Sequence, residues 1–372
     1  MRLRARHLTS ATTFALLLVL HGVWQGSARA QGQARRPASA SSAAAALPRM
    51  PDGHPDLQGI YDLATLTPLE RPAMFGDHLT LTDEQARQLE GAVASRKERL
   101  ALPDRGDRSG PPVGGDGSTG AAGNVGGYNN FWIDNGTAYV IVDGQKRTSV
   151  IIDPPNGRVP APTAAARQRQ ASRVVRTTSD EQESGDPGLE GAGAYDDPER
   201  RPLGERCLLG FGSTSGPPAL PVLYNNLHQI VVTKDTVMIL NEMDHDARVI
   251  RMNSQHVPAH VRKWMGDSIG RWDGDTLVVE TTNFTDKTRF RGSTEKLKVT
   301  ERFSRLDAKT LLYRFTVDDP DTWASSWSGE YTWPATDELM FEYACHEANY
   351  ALGNILRGAR QRERDAKTSG GR

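Results

Sequence analysis

Two short stretches of the chain concentrate the residue types that carry acid–base chemistry. The first follows a predicted strand and contains Glu242, Asp244, His245, Asp246 and Arg248. The ends of strands are places where polar groups converge on ligands. His245 could act as a general acid or base with a carboxylate orienting its imidazole, and Arg248 and Arg251 could hold a carboxylate bidentately. The alternative is a charged hairpin turn, whose exposed ion pairs stabilise little.

The second stretch lies near the C-terminus and contains Glu342, Tyr343, His346 and Glu347. We expect a last strand over 339–345, whose alternation would place Glu342 and His346 on one face and Tyr343 on the other. A buried glutamate and histidine could pair and shift each other's pKa. Burial without a partner would cost several kcal/mol, so this interpretation requires a polar lumen. The alternative is a face that is exposed to solvent.

Weaker candidates come from other strands. Glu280 has apolar neighbours and either points inward or faces water. Five tryptophans could line a pocket for an apolar or sugar-like ligand, although aromatic residues more often build cores: Trp264, Trp272, Trp323, Trp327 and Trp333. Tyr343 is a further candidate for ligand binding. Metal-ligand types occur at Glu242, His245, His256, His260 and His346, but no tight spacing links them, so no metal site is predicted. The chain has no phosphate loop, zinc-protease helix or Cys-x-x-Cys motif, so no cofactor is indicated.

The elements that must position these residues are mostly short strands. Apolar and β-branched runs joined by tight turns predict an antiparallel meander. The runs are 137–142, 147–153, 228–233, 236–241, 247–252, 268–272, 276–282, 297–303, 310–317, 328–333 and 339–345. A sheet of this length must curl or close, so we predict a mainly β fold, a barrel or strongly curved sheet, with a two-sheet sandwich as the alternative.

A few helices should accompany the strands. Thr82 and Gln85 form a capping box that predicts a helix from Asp83 to about Leu100. Two further helices are expected over 258–265 and 349–362. Residues 103–127 are rich in glycine and predict a flexible loop, and residues 161–203 have almost no large apolar side chains and predict disorder or loose helix.

The first 30 residues have the order of a secretory signal peptide. Three arginines precede an apolar run, and Ser27–Ala30 supplies a small-residue cleavage pattern. The run is shorter than a membrane span, and no later segment is long and apolar enough to be one. The sequence therefore predicts a periplasmic or secreted protein, with a flexible stalk over 31–50 and a single β-rich domain over 51–372.

Export also bears on the two cysteines and on the charge. Cys207 and Cys345 would form one disulfide in an oxidising compartment, or remain two separate buried thiols. Residues 1–30 contain four arginines and no acidic residue, so cleavage changes the net charge from −1 to −5. A net negative chain is unsuited to binding nucleic acid or anionic membranes.

Several strings resemble a large family of exported bacterial proteins of unknown function. The most specific are residues 264–268 (WMGDS), 272–284 (WDGDTLVVETTNF) and 342–350 (EYACHEANY). The resemblance implies export and a common fold, and it implies no chemistry. The start at Gly59, Ile60 and Tyr61, the meander and the terminal helix are also similar to lipocalin-like barrels, at the level of fold alone.

Three functions are compatible with these features. The preferred hypothesis is an exported β-barrel that binds a small organic molecule, with tryptophan walls and a few orienting polar groups. The second is an acid–base enzyme on the same scaffold, a hydrolase, lyase or isomerase that uses His245 or His346 with a partner carboxylate. The third is a structural or interaction module of the cell envelope. The sequence identifies neither the ligand nor the oligomeric state.

Overall fold

The computed structural model describes residues 47–100, 134–172, 195–210, 215–288 and 290–369. The predicted signal peptide, the loop 103–127 and the centre of the segment 161–203 lie outside these residues. So does most of the predicted stalk, whose last residues are described: Arg49 forms an ion pair with Asp275, with 2.6 Å between Nη2 and Oδ2.

The described chain is mainly β, as the sequence predicts. Ten strands form one curled sheet in the order β1-β5-β6-β7-β8-β9-β10-β11-β12-β4, and β2 and β3 form a separate hairpin. The strands are β1 (Gly59–Asp62), β2 (Ile141–Val142), β3 (Gln145–Lys146), β4 (Ile151–Asp153), β5 (Leu227–Val232), β6 (Thr236–Asn241), β7 (Ala247–Met252), β8 (Asp267–Asp273), β9 (Thr276–Thr282), β10 (Lys298–Arg305), β11 (Thr310–Asp318) and β12 (Trp327–Pro334).

The sheet is a half-barrel. Strand β1 pairs with β5 along its whole length, and it also meets the chain just after β12 through a bridge between Tyr61 and Ala335. The Thr336 N–H donates to the Ile60 carbonyl there at 2.9 Å. The edge of β1 therefore touches the end of β12 at this point, which protects part of that edge from solvent.

One pairing departs from the predicted antiparallel meander. Strands β7 and β8 are parallel, with Ile250 opposite Ser268, and residues 253–266 cross between them. The helix expected over 258–265 does not form. The Asn283 side chain donates to the carbonyls of Val257, Pro258 and Val261, and these bonds occupy acceptors that a helix would use for its own N–H groups.

The concave face of the sheet carries an aromatic core. Alternation along β10 to β12 places every second side chain on this face. Tyr313, Phe303 and Trp333 are fully buried, and the Tyr313 and Trp333 ring centroids lie 4.8 Å apart. Packing of such rings stabilises the fold by large apolar burial and by about 0.5–1.5 kcal/mol for each well-oriented pair.

Helices lie around the sheet. Helix α1 (Asp83–Leu100) begins at the predicted capping box, where Thr82 and Gln85 each accept the other's backbone N–H. Helix α2 (Ala164–Ser172) and residues 195–203 are also described, with Ala166, Arg201 and Leu203 buried. These are the two described ends of the segment 161–203, for which disorder or loose helix is predicted, and a helix forms at the first of them.

The C-terminal region differs from its prediction. Residues 339–344 form no strand, and two helices follow, α3 (Cys345–Ala348) and α4 (Tyr350–Ser369). Leu339 and Phe341 are 72% and 69% exposed, so the segment lacks the buried face of a strand. Glu342 and His346 do not share a strand face, and both are exposed.

Candidate functional site at the mouth of the half-barrel

The turn between β6 and β7 has an unusual backbone. Residues Met243–His245 form a short 3-10 turn, and Asp244 and His245 have φ angles of 57° and 54°. Two successive non-glycine residues in the left-handed region cost free energy, and such strain is concentrated at sites where geometry matters more than stability.

The structure brings together the two polar stretches that the sequence singles out. The Phe341 N–H donates to Glu242 Oε1 at 2.9 Å, and the Tyr343 N–H donates to His245 Nδ1 at 3.3 Å. Side chains of the turn thus hold the backbone that precedes α3. Glu242 is buried and also accepts the Leu227 N–H, so it positions chain segments and does not pair with the His245 imidazole.

Two carboxyls of the turn are perturbed. Burial raises the pKa of Asp244 to about 6, against the opposing charges of His346 and His245. Burial, followed by repulsion from Asp244, raises the pKa of Asp246 to about 7. Within the described residues, Asp244 Oδ1 and Asp246 Oδ2 are buried atoms without a hydrogen-bond partner. These carboxyls exchange protons close to neutral pH, which suits acid–base chemistry.

A groove opens beside this turn. It encloses about 340 Å³ and lies between the chain at Glu205, the segment from Tyr343 to Cys345, and helix α4, which contributes Leu352 and Ile355. The Cys207–Cys345 disulfide joins its walls across 138 residues of sequence. Asn349 adds a hydrogen bond from its side chain to the Glu205 carbonyl at 2.6 Å. The walls of the groove are therefore fixed covalently and by hydrogen bonds.

Arg248 points inside the half-barrel. Its guanidinium binds the Glu301 carboxylate in two places, with 3.0 Å between Nη2 and Oε1, and Tyr313 Oη donates to the same carboxylate at 2.8 Å. Arg251 lies on the opposite face of β7, where its Nη2 binds Asp267 at 2.8 Å. Strand alternation therefore separates the two arginines, and each of them binds a carboxylate of the protein itself.

Asp267 organises a second polar cluster, on the outer face of the sheet. It is 1% exposed and accepts from Arg251, from His256 Nδ1 at 3.1 Å, from the Val257 N–H and from Lys263 Nζ at 2.8 Å. These partners lower its pKa to about 2 in spite of burial. The cluster fastens the crossover to the sheet.

Glu280, a predicted ligand-binding residue, extends this same cluster. It forms an ion pair with Lys298 and lies 3.4 Å from His256 Nε2. Its carboxylate is thus engaged within the protein.

The predicted tryptophans lie away from the groove. Trp272 stacks on His54 with 4.5 Å between ring centroids, and Trp264 contributes its carbonyl to Thr288. Trp323, Trp327 and Trp333 are buried in the core. Of the aromatic candidates, Tyr343 lines the groove, and its ring also stacks on Tyr224.

Sequence reasoning missed Glu301, Tyr313 and Asp267. Glu301 stands between Val299 and Phe303 on an alternating strand, so its inward direction was readable from the pattern. Its pairing with Arg248 could not be predicted from the sequence, because the two residues lie on strands that are three pairings apart in the sheet. Asp267 has no local signal that predicts burial.

Among the described residues no group of three or more His, Cys, Asp or Glu side chains has the arrangement of a metal site. None of the helices in this part of the chain has the length and apolar character of a membrane span. The fold and the site define a curled, mainly β half-barrel with a strained polar turn and a disulfide-braced groove at its mouth. Comparison with known proteins adds no relative: no family model matches the chain, and no curated protein or solved structure gives a significant match.

Proposed function

We propose that this chain is an exported protein that binds a small organic molecule, and that the groove beside Tyr343 is the binding site. The observation that carries the proposal is the groove itself, whose volume of about 340 Å³ falls in the range typical of small-molecule sites. Its walls are mostly apolar, with Tyr343 as an aromatic surface and the Glu205 and Asn349 region as the polar edge. That composition suits an apolar body with a few polar groups.

The polar part of the groove wall is the chain around Glu205 and Asn349. Asp244 and Asp246 belong to the turn whose His245 accepts the Tyr343 N–H, but they do not line the groove, and their unpartnered oxygens are buried. The disulfide supports export, because disulfides persist in oxidising compartments.

Nile red, a neutral apolar dye, tests the groove directly. We expect saturable fluorescence enhancement with the mature protein, and at least about tenfold weaker binding when Leu352→Ser and Ile355→Ser are combined. Leu306→Ser is the matched control, because Leu306 is 43% exposed in the turn after β10, at the opposite end of the strands. Unchanged dye binding in the groove variant would refute this location.

A second function, acid–base catalysis, is favoured by the strained turn and its two carboxyls. In this alternative His245 or Asp246 transfers a proton to or from a molecule bound at this turn. Hydrolysis of p-nitrophenyl acetate above the uncatalysed rate, lost in His245→Ala and Asp246→Asn while Nile red still binds, would support an enzyme. Equal rates in all three proteins would leave binding as the function.

A further inference from the structure

A short segment of chain runs into the interior of the half-barrel. Residues 215–220, here called the strap, are all buried. Ala219 and Leu220 belong to the same core as Tyr313, Tyr331 and Trp333. The interior of a small antiparallel barrel is either filled by side chains or holds one small ligand. Here the chain's own backbone occupies that space.

Two tyrosines bind the strap by its peptide groups. The Ala219 N–H donates to Tyr313 Oη at 3.0 Å, and Tyr331 Oη donates to the Ala219 carbonyl at 2.9 Å. Tyr313 and Tyr331 face each other on β11 and β12, with 5.4 Å between their ring centroids. Side chains of the wall thus recognise both polar groups of one residue, which is the way in which a binding site recognises an amide.

Further polar groups lie around the strap. The His228 imidazole interacts with the Ser215 backbone of the strap, and Trp333 interacts with the Tyr331 hydroxyl. Asn241 Oδ1 is a buried atom without a hydrogen bond in the described part of the chain. His228 and Asn241 are neighbours across β5 and β6, and the His228 ring lies 5.5 Å from Trp333. Buried polar atoms are almost always paired in folded proteins, so the open Asn241 oxygen beside these groups leaves an acceptor for a molecule that binds there.

The interior is polar but electrically neutral. The charges of Arg248 and Glu301 cancel within their ion pair. Burial lowers the pKa of His228 to about 4, so its imidazole is uncharged at neutral pH. Tyr331 offers a donor, while Tyr313 and Asn241 offer acceptors. An uncharged ligand with both donors and acceptors matches this set, whereas an ion would meet no opposite charge.

We propose that the interior of the half-barrel is a binding site for a neutral amide-bearing molecule, of the kind of a short uncharged peptide, and that the strap occupies this site in the free protein. The site is distinct from the outer groove, and its existence does not depend on the function proposed for that groove. Withdrawal of residues 215–220 exposes the Tyr313 and Tyr331 hydroxyls to an incoming amide.

The test supplies the strap in trans. In the mature chain, the strap is weakened without a change of length by Pro217→Gly, Pro218→Ser, Ala219→Gly and Leu220→Ser. The probe is the peptide N-acetyl-Pro-Ala-Leu-amide, and its matched control carries N-methylalanine, which removes the N–H that Tyr313 accepts. Calorimetry should show saturable binding of the probe to the strap variant. This binding should be at least about tenfold tighter than binding of the probe to the wild type, and at least about tenfold tighter than binding of the methylated control to the strap variant. Adding Tyr331→Phe should weaken binding again.

Equal binding of the two peptides, or none to a folded strap variant, would overturn the proposal. Hydrogen exchange on the wild-type protein keeps the test open if the variant does not fold. Saturating probe should then accelerate exchange of the Ala219 amide while the Ile230 amide on β5 stays protected, because the probe replaces only the strap. An Ala219 amide that exchanges at the same rate with and without probe would count against a replaceable strap.

Discussion

Arg248 on β7 and Glu301 on β10 form an ion pair inside the half-barrel, with side chains only 6% and 0% exposed. Strands β8 and β9 lie between the two, so the pair spans the concave face of the sheet. Tyr313 adds a hydrogen bond to Glu301, and burial with this neighbouring carboxylate raises the tyrosine pKa well above its usual value. The pair is therefore a fixed, neutral part of the interior.

Removal of one partner of this pair should be costly. Glu301→Gln leaves the Arg248 guanidinium buried without its counter-charge, and we expect the free energy of unfolding to fall by about 3–5 kcal/mol. Replacement of both residues, Arg248→Met with Glu301→Leu, should recover most of that loss, since no isolated charge remains. Urea unfolding of the three proteins measures both effects, and a double variant no more stable than the single would contradict the explanation.

The strand boundaries show how far local pattern carries. β6, β7 and β9 begin and end where apolar alternation and turn residues place them. The 339–345 segment has the same alternation and yet forms no strand, because the partners of its N–H groups are the Glu242 and His245 side chains. Those contacts join residues about a hundred positions apart, and no local signal contains them.

The candidate site could be predicted only in part, because its contacts also join residues far apart in the sequence. Composition picks out Glu242, His245 and Tyr343, and the structure does bring their segments together. Their roles depend on burial and direction, which periodicity does not supply outside regular strands. The parallel register of β7 and β8 also escaped prediction, since a crossover without a helix lacks the usual sequence pattern.

Asp267 should make stability depend on acid pH. Its folded pKa of about 2 lies below the unfolded value of 3.8, so its stabilising effect is complete above the unfolded pKa and is lost as pH falls toward 2. The difference corresponds to about 2 kcal/mol. Asp267→Asn should remove this acid-dependent fall in the free energy of unfolding, and it should lower the free energy of unfolding at pH 7. Thermal unfolding from pH 2 to 7 should show a smaller slope below pH 4 in Asp267→Asn than in wild type, and parallel curves would refute the role.

Asp246 should act in the opposite direction. Its folded pKa of about 7 exceeds its usual value of 3.8, so the contribution to stability is present at low pH and is lost as pH rises through 7. Asp246→Asn removes the buried negative charge and should raise the melting temperature at pH 8 but not at pH 4. The exposed Asp143 supplies a matched control, because Asp143→Asn alters a carboxylate on the surface hairpin.

A 13C titration of the Asp246 carboxyl should show a lower midpoint in Asp244→Asn than in wild type, since Asp244 raises the Asp246 pKa.

The Cys207–Cys345 disulfide should hold the groove and the C-terminal helix to the half-barrel. It closes a loop of 138 residues, and disulfides of this kind stabilise by about 2–4 kcal/mol. Dithiothreitol should lower the melting temperature of wild type and weaken Nile red binding, because Cys345 lines the groove. The double variant Cys207→Ser with Cys345→Ser should match reduced wild type and be insensitive to the reagent.

Binding of the strap peptide to the strap variant should persist after reduction, since Tyr313 and Tyr331 belong to the sheet. Loss of both binding activities together would mean that reduction unfolds the protein as a whole, and that the disulfide is not a local brace.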